Sequence, residues 1–403
     1  MWSASMRDAL CYYNKAVCRL HARIPASAGG EIETTLLCCL LLAAFELLRG
    51  YHRESQVHLH GSAGLLQTWQ DSQNGSRGGS LWSPRAYFIR EKLGPLFYRM
   101  AFQASLFGHV QPTSSSWPKH GPGGATLVAF ISDTHDSNKK RITHDDARLR
   151  IASPTEARDT LYWLIWHLHL LPEGRHHLLK GAQTQRARAK GQDSFIRGLQ
   201  QWQDTLFEYL ERQSAGGGTS STMLKLLYAA ARVIIPTFTS KDQMAFDNFA
   251  TQFRDMTDLA EALLFPPPSP QPPSSSARRD DVPCFFSLDM GVLYLLYHVV
   301  IRCRVRATRH RALALLWRAP AWREGVWDGA ATALMAGRIV ALEEQAARRQ
   351  GAQTGADGEG SFFIPASARV CSVRAETDLE NRKVVLRCGW QEDTWCSEEL
   401  LTW

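Results

Sequence analysis

The chain is at its most apolar in Leu36-Leu-Cys-Cys-Leu-Leu-Leu-Ala-Ala-Phe-Glu-Leu-Leu-Arg-Gly50-Tyr51. From Leu36 to Leu48, thirteen residues carry one charge, Glu46. A bilayer span takes about 20 apolar residues, so this run is too short to cross a membrane and reads as a helix buried in a protein core. Gly50 follows it where a left-handed residue would close the helix. The chain beyond, through His58, His60 and Gly64-Leu-Leu66, then folds back as the second arm of an α-hairpin.

Helical spacing extends outward from there. Met6, Leu10, Tyr13, Val17, Leu20 and Ile24 recur at steps of four and three, as do Phe246, Phe249, Phe253, Met256, Ala260 and Leu263. Leu224, Leu227, Tyr228, Ala231, Ile234, Ile235 and Phe238 fill one helical face. Ser153-Pro-Thr-Glu156 supplies a capping serine, a proline at the first helical position and a glutamate able to return a bond. Ser240 to Gln243 repeats that spacing, and Ser83-Pro84 opens a helix toward Leu106 with a kink expected at Pro95. Three stretches interrupt the pattern: a Gly/Ser turn at 74–80, a weakly periodic insertion loop at 108–152, and a Pro-rich linker at 266–281. At the C-terminus, Val370 to Glu376 alternates in the manner of a strand. Asp378 to Asn381 turns, Val384 to Cys388 returns, and Trp395 marks a third candidate strand. The expected fold is all-α, a large array of α-hairpins over residues 1–350, with a small β-hairpin appendage at residues 361–403 packed on it.

Charge is concentrated. Lys+Arg number 46 against 39 Asp+Glu, a formal net charge of +7. Arg302, Arg304, Arg306, Arg309, Arg311, Arg318 and Arg323 lie in 22 residues that hold no acid and no lysine, so the rest of the chain sums to zero. Read as one helix, Arg302, Arg306 and Arg309 share one face and Arg304, Arg311 and Arg318 another. Two separated stripes suit a solvated surface better than a DNA-reading face. Arg302, Arg306, Arg309 and Arg311 are therefore expected to form a contact surface for an acidic partner.

Catalytic patterns are sparse. Asp133-Thr-His135-Asp136 after a β-prone run has the form of a first metallophosphoesterase motif, but no Gly-Asp or Gly-Asn-His partner motif follows. The histidines at 58 and 60, 167 and 169, and 176 and 177 lack the three- or four-residue spacing that places two ligands on one helical face. No Cys-x2-Cys pair, P-loop, Gly-x-Gly-x2-Gly or Gly-x-Ser-x-Gly elbow occurs. No secretory signal is visible at the N-terminus, and nine scattered cysteines read as reduced, buried thiols.

The helical pair at 36–66 resembles one found in the large regulatory region of fungal binuclear zinc-cluster transcription factors. Further matches keep the family's order. Arg99, Gln103 and Gly108 look like its Arg-x3-Gln-x4-Gly helix, and Ser153 to Arg158 like the next helix start. Asp289-Met-Gly291 through Tyr297 and Arg302-Cys303-Arg304 resembles the late helix. Arg311 to Leu316, Arg323-Glu-Gly325-Val-Trp327-Asp328 and Leu342-Glu-Glu344 resemble the segment after it, and Ile364-Pro365 with Val370 to Glu376 the closing β tail. Gly50, Gly325, Trp327 and Asp328 would then be structural motif positions.

The family reads DNA with an N-terminal cluster of six cysteines holding two zinc ions. Cys11 and Cys18 lack the close pairs this needs, so the resemblance implies neither zinc nor direct DNA contact for this chain. What it does imply is transcriptional regulation in a fungal nucleus by protein–protein contact, with the transcription machinery or a zinc-cluster partner. A small-molecule effector between helices, or a homodimer, is compatible with that. No catalytic residue, metal or cofactor is expected, and no membrane association. The alternatives are a non-nuclear helical scaffold or adaptor and, more remotely, a metal-dependent phosphoesterase at Asp133 and His135.

Overall fold

A computed structural model describes residues 4–23, 32–75, 87–106, 151, 153–162, 197–198, 200–212, 218–237, 240, 242–266, 285–351, 363–390 and 395–403. The described residues are mostly helical, with a small antiparallel three-stranded sheet at the C-terminus. The linker from 267 onward, all of the 108–152 loop but Ile151, and the Ser83-Pro84 helix start lie outside them. Ile151 itself is buried.

Helices α1 (Ala4–Arg23), α2 (Ile32–Arg49) and α3 (His52–Gly75) come first. On α1, Leu10, Tyr13, Val17 and Leu20 form a half-buried face, as their spacing predicts. Tyr13 stacks on Phe45 of α2 with ring centroids 5.1 Å apart. It also shares a hydrogen bond of 2.8 Å with Nε2 of His58 on α3. The α2–α3 turn is a Schellman motif. The Gly50 N–H donates to the Leu47 carbonyl (3.0 Å) and the Tyr51 N–H to the Glu46 carbonyl (2.9 Å), with Gly50 at φ +83°.

A Cβ on Gly50 would lie 2.4 Å from Cβ of Leu379, in the tail. Left-handed backbone costs a non-glycine residue about 1–2 kcal/mol, and the clash adds to it. Gly50→Ala is therefore expected to destabilise by at least about 2 kcal/mol in urea unfolding. Gly61→Ala, within α3 and with nothing within 4 Å of a built Cβ, is expected to stabilise slightly. Equal effects from the two would remove the special role assigned to Gly50.

Pro95 leaves its mark one turn upstream. Because proline lacks an N–H, residues Ile89–Leu93 widen into a π turn, and the Gly94 N–H reaches back to the Ile89 carbonyl. Helix α4 (Gly94–Leu106) follows. Helix α5 (154–162) starts as expected: Ser153 Oγ accepts from the Glu156 N–H at 3.2 Å. Helix α6 (200–212) is tied to it by Trp202, whose indole N–H donates to the Ala157 carbonyl at 2.8 Å.

The centre is α7 (Thr219–Thr237), a 3-10 segment (Gln243–Phe249), α8 (Ala250–Leu264), α9 (Val292–Arg302), α10 (Arg306–Trp317) and α11 (Gly329–Arg349). Helix α7 is buried on more than the one face that its sequence suggests, with Leu226, Ala229 and Val233 inside as well. Phe238 of the same pattern lies outside the described residues. The capping-box spacing at Ser240 is not used as such. Asp242 caps the 3-10 segment, its side chain accepting from the Met244 N–H at 2.8 Å, and Ser240 Oγ accepts from the Asp242 N–H at 3.2 Å.

A small sheet was not anticipated within the helical part. Strand β1 (Phe285–Ser287) runs parallel to β2 (Trp322–Glu324), which pairs antiparallel with β3 (Trp327–Asp328). Gly325, at φ +58°, makes the β2–β3 turn. Asp328 then caps α11: one carboxylate oxygen accepts from the Ala331 N–H and the other from Arg323 Nε, both at 3.0 Å. In the tail, β4 (Ser372–Asp378), β5 (Lys383–Gly389) and β6 (Ser397–Thr402) form an antiparallel meander. The third strand extends the hairpin that was expected. Val384, Leu386 and Cys388 alternate inward, and Arg338 of α11 grips Glu399 through two bonds of 2.5 and 2.7 Å. No described helix is long and apolar enough to cross a membrane.

Candidate functional site

The arginine-rich segment is not one helix and does not form one surface. Helix α9 ends at Arg302, Cys303 to Val305 are extended or irregular, and α10 begins at Arg306. This break turns the arginines in different directions. Arg309 is 1% exposed, contrary to its expected place on a contact surface, because Nη2 pairs with Glu343 of α11 at 2.6 Å and Nε donates to the Val300 carbonyl at 2.8 Å. Arg304 pairs with the other oxygen of Glu343 at 2.6 Å, and burial lowers its pKa to about 10. Arg311 does face solvent, but it holds Asp258 and Glu261 of α8. Arg318 lies 3.9 Å above the Phe265 ring, and Arg323 bonds Asp328 and the Leu48 carbonyl. Arg306 is exposed. Arg302 turns inward.

Two features lie along α9, one at its start and one down its length. The first is a buried polar knot built from segments far apart in sequence. Arg99 of α4, 4% exposed, donates to Asp159 of α5 and, through Nε, to Asp289 at 2.6 Å. Arg158 donates to the second Asp289 oxygen at 2.7 Å and to Asp159 at 3.3 Å. Two cations thus face two carboxylates, which is how ionised groups are kept inside a protein. Burial raises the Asp159 pKa, and Arg99 and Arg158 oppose that shift.

Beside the knot, Gln103 donates to the Leu288 carbonyl at 2.9 Å. Its amide lies so close to Gly325 that a Cβ there would meet Oε1 at 1.7 Å. Glu324 accepts from the N–H groups of Gly291, Val292 and Leu293 at 3.1, 3.0 and 2.8 Å and from the Trp322 indole at 2.8 Å, so a carboxylate from β2 caps α9. Glu324 is fully buried and its pKa is raised by desolvation, against these four bonds. The bonds of the knot tie α4, α5, the start of α9 and β2 together.

The second feature is a cavity of about 380 Å³ between α7, the 3-10 segment, α9, α11 and β4. This lies within the usual range for small-molecule sites. Its walls are mainly apolar, with Ile234, Phe246, Leu295 and Met335 among them, and it touches the knot through Tyr162 and Met290. Arg302 and His298, one helical turn apart on α9, supply polar groups to it. Arg302 donates to Gln243 Oε1 and lies 5.0 Å from the Phe246 ring centroid.

His298 sits among Phe246, Phe253 and Tyr294, and its Nε2 is buried without a hydrogen-bond partner. Desolvation, then Arg302 and Arg304, lower its pKa to about 3. The folded state therefore keeps His298 neutral where an unfolded histidine, near 6.5, takes up a proton. Its contribution to stability is complete above pH 6.5 and is lost as pH falls toward 3. From pH 7 to 4.5 this residue should remove about 2 kcal/mol, and His298→Gln should flatten that part of the pH profile. An unchanged profile would show that the imidazole reaches water.

Gly50 and Gly325 make turns, Trp327 is buried and Asp328 caps α11. Asp133, His135, and the histidines at 167, 169, 176 and 177 lie outside the described residues. His58 and His60 engage Tyr13 and the Gln56 carbonyl. Among the described residues no three His, Cys, Asp or Glu side chains are placed to hold a metal. Sequence reasoning missed Glu324, Glu343 and Asp289 as partners, and no local signal marks them. Comparison with protein-family models, curated proteins and solved structures gives no match for this chain.

Proposed function

We propose that the chain is a transcriptional regulator of the fungal zinc-cluster type, acting in the nucleus by protein–protein contact through its helical regulatory region. The observation that supports this most is the polar knot. Arg99, Gln103, Arg158, Asp289, Gly291 and Gly325 come from four separated segments that resemble the family in the same order. In space they meet around the start of α9. A chance set of short likenesses would not be expected to converge on one buried cluster. The contact surface no longer includes the buried Arg309 or the inward Arg302; Arg306 and Arg311, with exposed Trp317 at the end of α10, are what remains of it.

The test is to fuse the whole chain to a heterologous DNA-binding module in a fungal reporter strain. A change in transcription of fivefold or more, in either direction, relative to the module alone is expected. An unchanged reporter, together with exclusion of the tagged chain from nuclei, would replace this reading with that of a helical scaffold.

A further inference from the structure

We infer that the cavity beside α9 binds a small organic anion, an acid with an apolar or aromatic body, whose charged group is held by Arg302. This goes beyond the regulatory reading and does not depend on it. Three observations carry it. The walls are predominantly apolar, so the body of a ligand gains by leaving water. Arg302 lines this space and, among the described residues, has no carboxylate partner and donates to the neutral Gln243. The anion that acts on it, Glu343, does so at a distance and is bonded to Arg304 and Arg309 instead. A guanidinium set into an apolar wall without a bonded counter-charge is costly, and an incoming carboxylate or sulfonate relieves that cost while forming charge-assisted hydrogen bonds.

His298 sharpens the assignment. It lies one helical turn from Arg302, lines the cavity and is held neutral, with a buried Nε2 that has no partner. A neutral imidazole brings no second charge to the wall, so a singly charged group suits the site better than a phosphate. Tyr294 and Phe246, also in the wall, offer ring faces to the ligand body.

The probe is 8-anilinonaphthalene-1-sulfonate, an aromatic anion that fluoresces when it leaves water, titrated into the purified full chain. Saturable binding is expected, with displacement by decanoate at concentrations at least tenfold lower than by decan-1-ol, which has the same chain length but no charge. Arg302→Gln should erase that difference while leaving decan-1-ol competition within about twofold, and Arg302→Lys should restore part of it. Ala231→Leu, which fills the cavity from α7, should weaken both competitors. The inference is overturned if the folded chain shows no saturable binding, if decanoate and decan-1-ol compete equally on the unaltered chain, or if Arg302→Gln leaves their difference intact. The first two outcomes need no variant, so a misfolded substitution cannot hide them.

Discussion

Glu343→Gln is expected to destabilise the protein by about 3–5 kcal/mol, the usual consequence of removing one partner from a buried ion pair. Glu343 is completely buried on α11 and accepts three bonds: Arg304 Nη2 at 2.6 Å, Arg309 Nη2 at 2.6 Å and the Val370 N–H at 2.7 Å. It therefore joins α11 to α10, to the break before it and to the start of the β tail. Glutamine keeps the shape and one acceptor oxygen, so packing should survive. The carboxylate facing two guanidiniums, 4% and 1% exposed, is what disappears. Adding Arg309→Met removes one of the stranded cations and should recover part of the loss, because an uncompensated buried charge costs more than an absent pair. Urea unfolding of the three proteins is the measurement. A loss below about 1 kcal/mol for Glu343→Gln would mean that water reaches these arginines.

The same residues show what a sequence can and cannot disclose. Local signals carried through well: the stop at Gly50, the cap at Ser153, the face of α1 and the β-prone runs either side of Asp378 all depend on residues within a few positions of one another. The arginine segment failed for the opposite reason. Its charges are balanced by acids 34 and 39 residues away on α11 and about 50 away on α8, and nothing in the segment points to them. The break at Cys303 to Val305 also has no proline or glycine to announce it. Strands β1 to β3 are two or three residues long, too short for a period of two to register. The cavity is less legible still. It exists because α7, α9, α11 and β4 come together, and Arg302 reads as an exposed helical charge until the fold turns it toward Phe246.

That contrast bears on function. A +7 surplus suggests an electrostatic surface only if the charges are free to face outward. Here Arg304, Arg309 and Arg323 are engaged in bonds that hold helices, tail and caps together, and Arg311 and Arg318 bridge α10 to α8. Much of the surplus is thus fold-holding, and Arg302, which lines the cavity, is better placed to select an anionic ligand than to attract a macromolecule.

Arg99→Met should be the second large effect, about 3–5 kcal/mol at neutral pH, and its pH dependence identifies the cause. Arg99 neutralises Asp159, 6% exposed, and shares Asp289 with Arg158. Without it, the cation left to Asp159 among the described residues is Arg158, at 3.3 Å. Burial already raises the Asp159 pKa and Arg99 opposes the rise, so the substitution pushes it higher. A carboxyl whose folded pKa is raised costs nothing below the unfolded value near 3.9, where both states hold the proton. The cost then grows as pH rises, because the unfolded chain ionises freely and the folded one does not. The stability gap between Arg99→Met and the unaltered protein should accordingly narrow from pH 7 toward pH 4. Arg99→Met combined with Asp159→Asn should be less damaging than the sum of the two single changes, since the two residues act as a pair. A gap independent of pH, together with additive single effects, would assign Arg99 to packing alone and remove the electrostatic account of the knot.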